Sequence, residues 1–260
     1  VQIDGRTAKK GASLLAGQMV IVEYAQVEEA IVPNADMALS ILFEDEQIVA
    51  IDKPAGTPCQ PLGPSERDTI ANALVARFEG MAKVGDDWRE AGLCHRLDIE
   101  TSGVLLAAKT RTAWEAMRQA FSGDARAIDK YYVALVAGPI ADEGTIDLPL
   151  VHRGDHMSPD TGETGRPALT RFHVTRRHEG YALLDVQLIT GVLHQVRAHL
   201  AAIGAPIVGD RLYGGPIEID LNRFFLHARS LAFAHPVTGK RMQIESQLPD
   251  ELTRILSAHF

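Results

Sequence analysis

The sequence is short of cysteine, of excess positive charge and of long apolar runs, and each shortage closes off a class of protein. Only Cys59 and Cys94 occur among 260 residues. That is too few for a disulfide framework, so a reducing cytoplasm is the expected compartment. No apolar run nears the roughly 20 residues a membrane span needs, so no membrane partner is expected. The opening residues Val1-Gln2-Ile3-Asp4-Gly5 carry neither an initiator methionine nor the charged-then-apolar pattern of a signal peptide. Val1 reads as the edge of a trimmed chain or of a longer natural one. Lys and Arg number 26 against 34 Asp and Glu, a net charge of −8, which argues against a protein that coats nucleic acid nonspecifically. The acid is unevenly spread. Residues 1–108 hold 9 Lys/Arg against 17 Asp/Glu, and residues 109–260 hold 17 of each. A local basic groove therefore remains open to the second part.

Catalytic signatures are missing too. No Gly-x-Ser-x-Gly elbow or His-Glu-x-x-His zinc helix occurs. The glycine-rich segment Gly209-Asp210-Arg211-Leu212-Tyr213-Gly214-Gly215 lacks phosphate-loop spacing. No Cys/His pair has structural-zinc spacing with a second pair to complete it, so no metal is expected.

What is present is 46% hydrophobic, enough for one large core or two modest ones. Residues 1–24 read as a small β element, with Asp4-Gly5 as a turn and Met19 to Val22 as a strand. Residues 25–39 read as a linker broken by Pro33-Asn34, leaving 40–260 as the main domain. Strands are expected at Ile41–Phe43, Ile48–Ile51, Gly103–Ala108, Tyr131–Val136, Leu183–Ile189, Phe224–Phe233 and Met242–Ile244. Helices are expected at Thr69–Phe78 with Thr69 as N-cap, at Thr110–Phe121, from Leu193 towards Gly204, and at Pro249–Phe260. Strands and helices mix without a β-α-β rhythm, which predicts an α+β fold with a largely antiparallel sheet.

Two segments concentrate reactive side chains. His95-Arg96-Leu97-Asp98-Ile99-Glu100-Thr101-Ser102-Gly103 sets an imidazole, a guanidinium and a carboxylate within four positions, before an apolar strand. A polar turn with Asp98 as a cap explains such a loop equally well. Thr190-Gly191-Val192-Leu193-His194-Gln195-Val196-Arg197-Ala198-His199 puts His194, Gln195 and Arg197 near a helix start, where free N–H groups suit phosphate or carboxylate. By itself this segment reads first as an ordinary helix with a satisfied histidine and a solvated arginine.

Taken together, these segments resemble the RluA-type family of RNA pseudouridine synthases. His95-Arg96-Leu97-Asp98 with Thr101-Ser102-Gly103 matches the family signature. Lys130-Tyr131-Tyr132 is similar to its Lys-x-Tyr strand, Lys53-Pro54-Ala55-Gly56 to its early turn, and residues 190–199 to its later Thr-Gly-Arg-x-His-Gln-x-Arg-x-His segment. Pro206 to Gly215, and Leu226-His227-Ala228 leading to His235-Pro236, are similar to further landmarks, so the likeness runs over residues 40–245 in order.

The resemblance implies an α+β catalytic domain with a central mixed, mostly antiparallel sheet flanked by helices and crossed by an active-site cleft. It implies isomerisation of uridine to pseudouridine without metal or other cofactor. Residues 1–24 look like the tail of a small RNA-binding domain. Asp98 is the implied essential carboxylate, since glycosidic cleavage builds positive charge on the sugar. Arg197 pairs with it, the opposite charge favouring the carboxylate. Tyr132 lies against the flipped uracil, near C5 when its proton leaves. Arg96 fills the gap left by the base or holds a phosphate. His95, Thr101, Lys130, His194, Gln195, Arg166 and Arg229 complete the expected substrate and RNA contacts. Arg96, Lys130, Arg166, Arg197 and Arg229 are expected to form a positive groove past Asp98.

One position departs. Val192 stands where the family usually has Arg, which puts an RNA contact in doubt and points to valine packing under a loop or against a base. The expected partner is structured RNA, large-subunit ribosomal RNA first and transfer RNA second, acted on by a monomer. Two rivals follow. One is an RNA-binding or ribosome-assembly factor that kept the fold and lost activity. The other is a small-molecule glycoside hydrolase using Asp98 and Glu100.

Overall fold

Ser102–Ala108 is buried at every position, as a strand covered on both faces must be. The structure is a computed structural model and describes residues 1–9, 11–23, 30–122, 127–160, 162, 164–217 and 220–260. Its elements, in chain order, are β1 (Gln2–Ile3), β2 (Arg6–Thr7), β3 (Val20–Ile21), β4 (Ile41–Glu44), β5 (Ile48–Lys53), α1 (Ile70–Arg77), β6 (Ser102–Ala108) and α2 (Arg111–Ser122). There follow β7 (Ile128–Ala137), β8 (Glu143–Asp147), β9 (Leu150–Arg153), β10 (His156–Pro159), β11 (Leu169–His178), β12 (Tyr181–Leu188), α3 (Gln195–Ala202), β13 (Leu226–Ala234), β14 (Arg241–Glu245) and α4 (Asp250–His259). No helix among the described residues is long and apolar enough to cross a membrane.

The main sheet has nine strands in the order β4-β5-β6-β13-β7-β12-β11-β8, with β14 also on β13. β6 and β13 run parallel, while the other pairings are antiparallel. The chain is therefore α+β with a mixed, mostly antiparallel sheet, as expected. The parallel contact is short, His227 with Ser102 and Ala228 with Gly103. Gly103 has φ 115°, and a Cβ there would stand 2.2 Å from the Ala228 carbonyl oxygen. Only glycine allows that approach.

Alternation along β6 serves two layers. Val104, Leu106 and Ala108 meet Ala113, Trp114 and Met117 of α2 on one face. Leu105 and Ala107 join Ile70 and Leu74 of α1 on the other. Burying one such large side chain contributes about 1.5–3 kcal/mol. α1 opens with the expected cap. Thr69 Oγ1 accepts from the Asn72 N–H, and Asn72 Oδ1 accepts from the Thr69 N–H.

Three differences from the sequence reading have physical causes. Ile31 is buried and Met37 and Leu39 pack on the same core, so residues 31–39 are docked on the main domain and are no free linker. Residues 24–29 lie outside the described set, and residues 1–23 hold the small sheet β2-β1-β3. α3 starts at Gln195, two residues later than expected, because His194 adopts φ 51°. Finally, β8 to β11 had no expected counterpart. β8 buries only Ile146 fully, and β11 is exposed over most of its second half, so neither carries a strong apolar period.

Candidate active site

Asp98 sits on the loop that enters β6, and that loop is pinned on both sides of it. Cys59 Sγ meets the Leu97 carbonyl oxygen at 3.3 Å and the Leu97 nitrogen at 3.4 Å. The fully buried Lys53 donates to the carbonyls of Pro54, Ile99 and Thr101 at 2.8–2.9 Å. Three ammonium donors thus meet three acceptors. Burial pulls the Lys53 amine down to about 8. Arg223 Nη1 donates to the Glu100 carbonyl, and its Nη2 to Ser102 Oγ. The carboxylate is presented by a loop with little freedom to move.

Arg197 reaches Asp98 from α3. Its Nη1 donates to Asp98 Oδ2 at 2.9 Å, while Nε and Nη2 form a bidentate pair with Asp210 at 2.6 and 3.0 Å. The guanidinium also lies over Phe224 and Tyr213, at 4.2 and 5.0 Å from the ring centroids. One arginine fork therefore joins two carboxylates in a buried, aromatic setting, where planar geometry is what Lys could not supply. Asp210 belongs to the glycine-rich segment. A Cβ on Gly209 or Gly215 would clash with the carbonyl oxygens of Arg223 or Ile207, at 2.2 and 1.8 Å. Those glycines serve close backbone packing around Asp210, and nothing in sequence spacing ties Asp210 to Arg197.

These groups stand in a cleft of about 1100 Å³. Its lining includes His95, Arg96, Asp98, Thr101, Lys130, Tyr132, Arg166, Val192, His194, Gln195 and Arg197, so most expected site residues share one space. They differ in what they are free to do. The side chains of Arg96 and Arg166, and of Arg211 beside Asp210, are exposed and form no hydrogen bond or ion pair with the described residues. Lys130 donates to the Thr190 carbonyl at 3.1 Å, and burial pulls its amine down to about 8. His95 accepts the Leu106 N–H on Nε2 and stacks on Phe121, which ties it to β6 and α2. Thr101 is buried.

Three expectations need correction. Gln195 is 2% exposed, and its amide is fully engaged with Thr190, Val192, Leu169 and Thr170. It braces the turn before α3 and has no group left for RNA. Arg229 does not line the cleft. It forms a bidentate pair with Asp185, which opposes Val133 in the register, so strand alternation turns it away from the Tyr132 face. Tyr132 lines the cleft with Asp98. Burial, then the negative charge of Asp98, push its phenol well above the ordinary tyrosine range, so at neutral pH it is a protonated platform. The groove is also mixed in sign. Arg96, Arg118, Lys130, Arg166, Arg197 and Arg211 face Glu66, Glu90, Asp98, Glu100 and Asp210, and of these Arg96, Arg166 and Arg211 are exposed.

Val192, the departing position, is 8% exposed. It clusters with Leu150 and Met157 of the β9–β10 hairpin, Ala168, and Ala198 of α3. Val192 thus packs on the β9–β10 hairpin while also lining the cleft. Among the described residues, no group of three or more His, Cys, Asp or Glu could hold a metal ion.

Comparison with known proteins converges on one description. The family model for RNA pseudouridylate synthase matches residues 47–202. The chain is similar to the ribosomal large subunit pseudouridine synthase D of Xanthomonas campestris pv. campestris, at 34% identity over 98% of this chain and 80% of that protein. It is similar also to the protein of the same name from Pseudomonas aeruginosa, at 34% identity over 98% of this chain and 84% of that one. Among solved structures, human RNA pseudouridylate synthase domain containing 4 superposes with a TM-score of 0.67 and 26% identity, over 84% of this chain and 92% of that chain.

Proposed function

This chain belongs to the RNA pseudouridylate synthase family, and from that premise we propose that it isomerises specific uridines of large-subunit ribosomal RNA, with Asp98 as the essential carboxylate. The observation that carries the site assignment is the Asp98–Arg197–Asp210 array at the floor of the cleft. In the reaction the N1–C1′ bond breaks, the uracil turns, a C5–C1′ bond forms and the C5 proton leaves. Positive charge develops on the sugar as the first bond breaks, and a carboxylate beside it stabilises or traps that charge. Arg197 occupies Oδ2 of Asp98, and no hydrogen bond from the described residues engages Oδ1.

A nucleotide inside a stacked duplex cannot present its glycosidic bond to Asp98, so in this reading the target nucleotide is flipped out. That costs a few kcal/mol, least where the uridine is already unpaired. Tyr132, protonated and buried, offers the flat wall against which the freed uracil turns. In this reading Arg96 enters the space the base leaves, and Arg166 and Arg211, exposed in the cleft lining, meet phosphates. The names of the two bacterial relatives support ribosomal RNA as the substrate, and the cytoplasm as the place of work. Under this reading the small sheet of residues 1–23 contributes to RNA binding.

Asp98→Asn should abolish tritium release from C5-labelled uridine RNA while RNA affinity and thermal unfolding stay close to the parent. Turnover near the parental rate would remove Asp98 from the chemistry. Pseudouridine mapping with and without the gene tests the substrate, and sites lost from transfer RNA alone would overturn the ribosomal assignment.

A further inference from the structure

The two oxygens of Asp98 face different neighbours. Oδ2 accepts from Arg197 at 2.9 Å. Oδ1 has His194 Nε2 4.0 Å away, outside hydrogen-bond reach. The imidazole is oriented from its far side. The Tyr213 hydroxyl accepts the Met157 N–H at 2.9 Å and lies 3.2 Å from His194 Nδ1. With Met157 donating to that oxygen, the phenolic proton is free to point to Nδ1. In that tautomer His194 carries its ring hydrogen on Nε2, the nitrogen nearest Oδ1. Burial lowers the imidazole below its ordinary range, in keeping with a neutral ring. Its backbone is left-handed, φ 51°, a conformation that costs a non-glycine residue about 1–2 kcal/mol. The fold holds this donor in place against that cost.

A donor and an acceptor 4.0 Å apart leave room for one oxygen atom. An oxygen about 2.8 Å from each completes a triangle with an apex of about 90°, open enough to accept from Nε2–H and donate to Oδ1 together. A hydroxyl can do both. A carbonyl oxygen can only accept, and would meet the carboxylate lone pairs. Within an RNA chain the 3′ and 5′ oxygens are esterified, so the free hydroxyl of the sugar is the 2′-OH, the group that separates RNA from DNA.

We propose that His194 and the free oxygen of Asp98 together grip the 2′-hydroxyl of the target nucleotide, so that His194 selects ribose over deoxyribose at the modified position. The inference rests on the reading that Asp98 works at the sugar of that uridine. Tyr213 is the positioning residue behind it.

The test uses the full chain and two synthetic versions of a large-subunit ribosomal RNA stem-loop that it modifies. The target nucleotide is uridine in one and 2′-deoxyuridine in the other, each labelled at C5. The ratio of kcat/KM on the two substrates is compared between the parent and His194→Ala. Intrinsic differences between the two glycosidic bonds cancel in that comparison. The parent should favour ribose, and His194→Ala should reduce the ratio by roughly two- to tenfold, the effect of one hydrogen bond between uncharged groups. His194→Gln, whose amide can occupy the place of Nε2–H, should recover part of it. Tyr213→Phe keeps His194 but frees its tautomer, so it too should lower the ratio, and it decides the matter if His194→Ala does not fold. A parent enzyme blind to the sugar, or equal losses on both substrates in the variants, overturns the proposal. Turnover by Asp98→Asn would remove the underlying reading as well, whereas an inactive Asp98→Asn beside equal losses removes this inference alone.

Discussion

At the scale of single residues, Arg197 has more to hold than one carboxylate. Asp210 takes two of its N–H groups and Asp98 one, so the buried charge balance depends on Asp210 as much as on the reacting group. Asp210→Asn keeps an acceptor but removes a charge from a desolvated pair, a change that costs about 3 kcal/mol of stability. It should also lower kcat more than RNA affinity, because Arg197 loses the partner that sets its plane. Single-turnover rates and filter binding on the same RNA separate the two effects, and an unchanged kcat would reduce Asp210 to a structural role. Asp98, Tyr132 and Arg197 lie on three separate motifs, and only the resemblance to a family drew them together before the structure set them in one cleft. The parts of Asp210, Lys53 and Arg223 were not legible in sequence. Lys53 works through three carbonyls, and backbone acceptors leave no trace in a residue pattern. Gln195 and Arg229 were read as RNA contacts because polar residues near a motif look available until their partners are seen.

At the scale of elements, the β9–β10 hairpin explains the one departure from the family pattern. Val192 lies under it with Leu150, Met157, Ala168 and Ala198, and Tyr213 fastens it through the Met157 N–H. Val192→Arg would force a long cation into this cluster or drive it out past the hairpin, an overpacking cost of about 1–3 kcal/mol. The expected outcome is lower stability in urea and earlier proteolytic cutting between residues 150 and 159. A variant as stable as the parent, binding RNA with a steeper salt dependence, would instead put residue 192 against phosphate. The hairpin itself could not be read from sequence. His152, Arg153 and Asp155 are exposed, and its apolar residues meet partners some 40 positions away along the chain. β6 and α1 were readable because their signals are local. One is a continuous apolar run, the other a threonine cap three residues before its partner asparagine.

At the scale of the whole molecule, four histidines are folded into places that exclude a proton. His199 is held by Thr170 and the Leu148 carbonyl, and His227 by Ser102 and the Ser246 carbonyl. His95 accepts a backbone N–H, and His194 faces Tyr213. Burial pushes His95 down to about 3 and holds the other three below 6.5. In the unfolded chain the same rings protonate near pH 6.5. Below that pH the unfolded state therefore binds more protons, and stability falls as pH falls, by roughly 1.4 kcal/mol per pH unit for each proton fully excluded. Carboxylates add their loss later. Asp45, for example, is raised by burial but held below 3.8 by the backbone N–H groups of Ile48 and Gln47. The acid limb should therefore begin near pH 6.5, well before carboxylates titrate. Urea unfolding measured from about pH 7.5 down to about pH 5 should show the free energy declining with an unchanged m-value. His199→Gln should flatten the slope by up to one proton. A free energy that stays level across this range would mean that the folded chain protonates these rings as readily as the unfolded one.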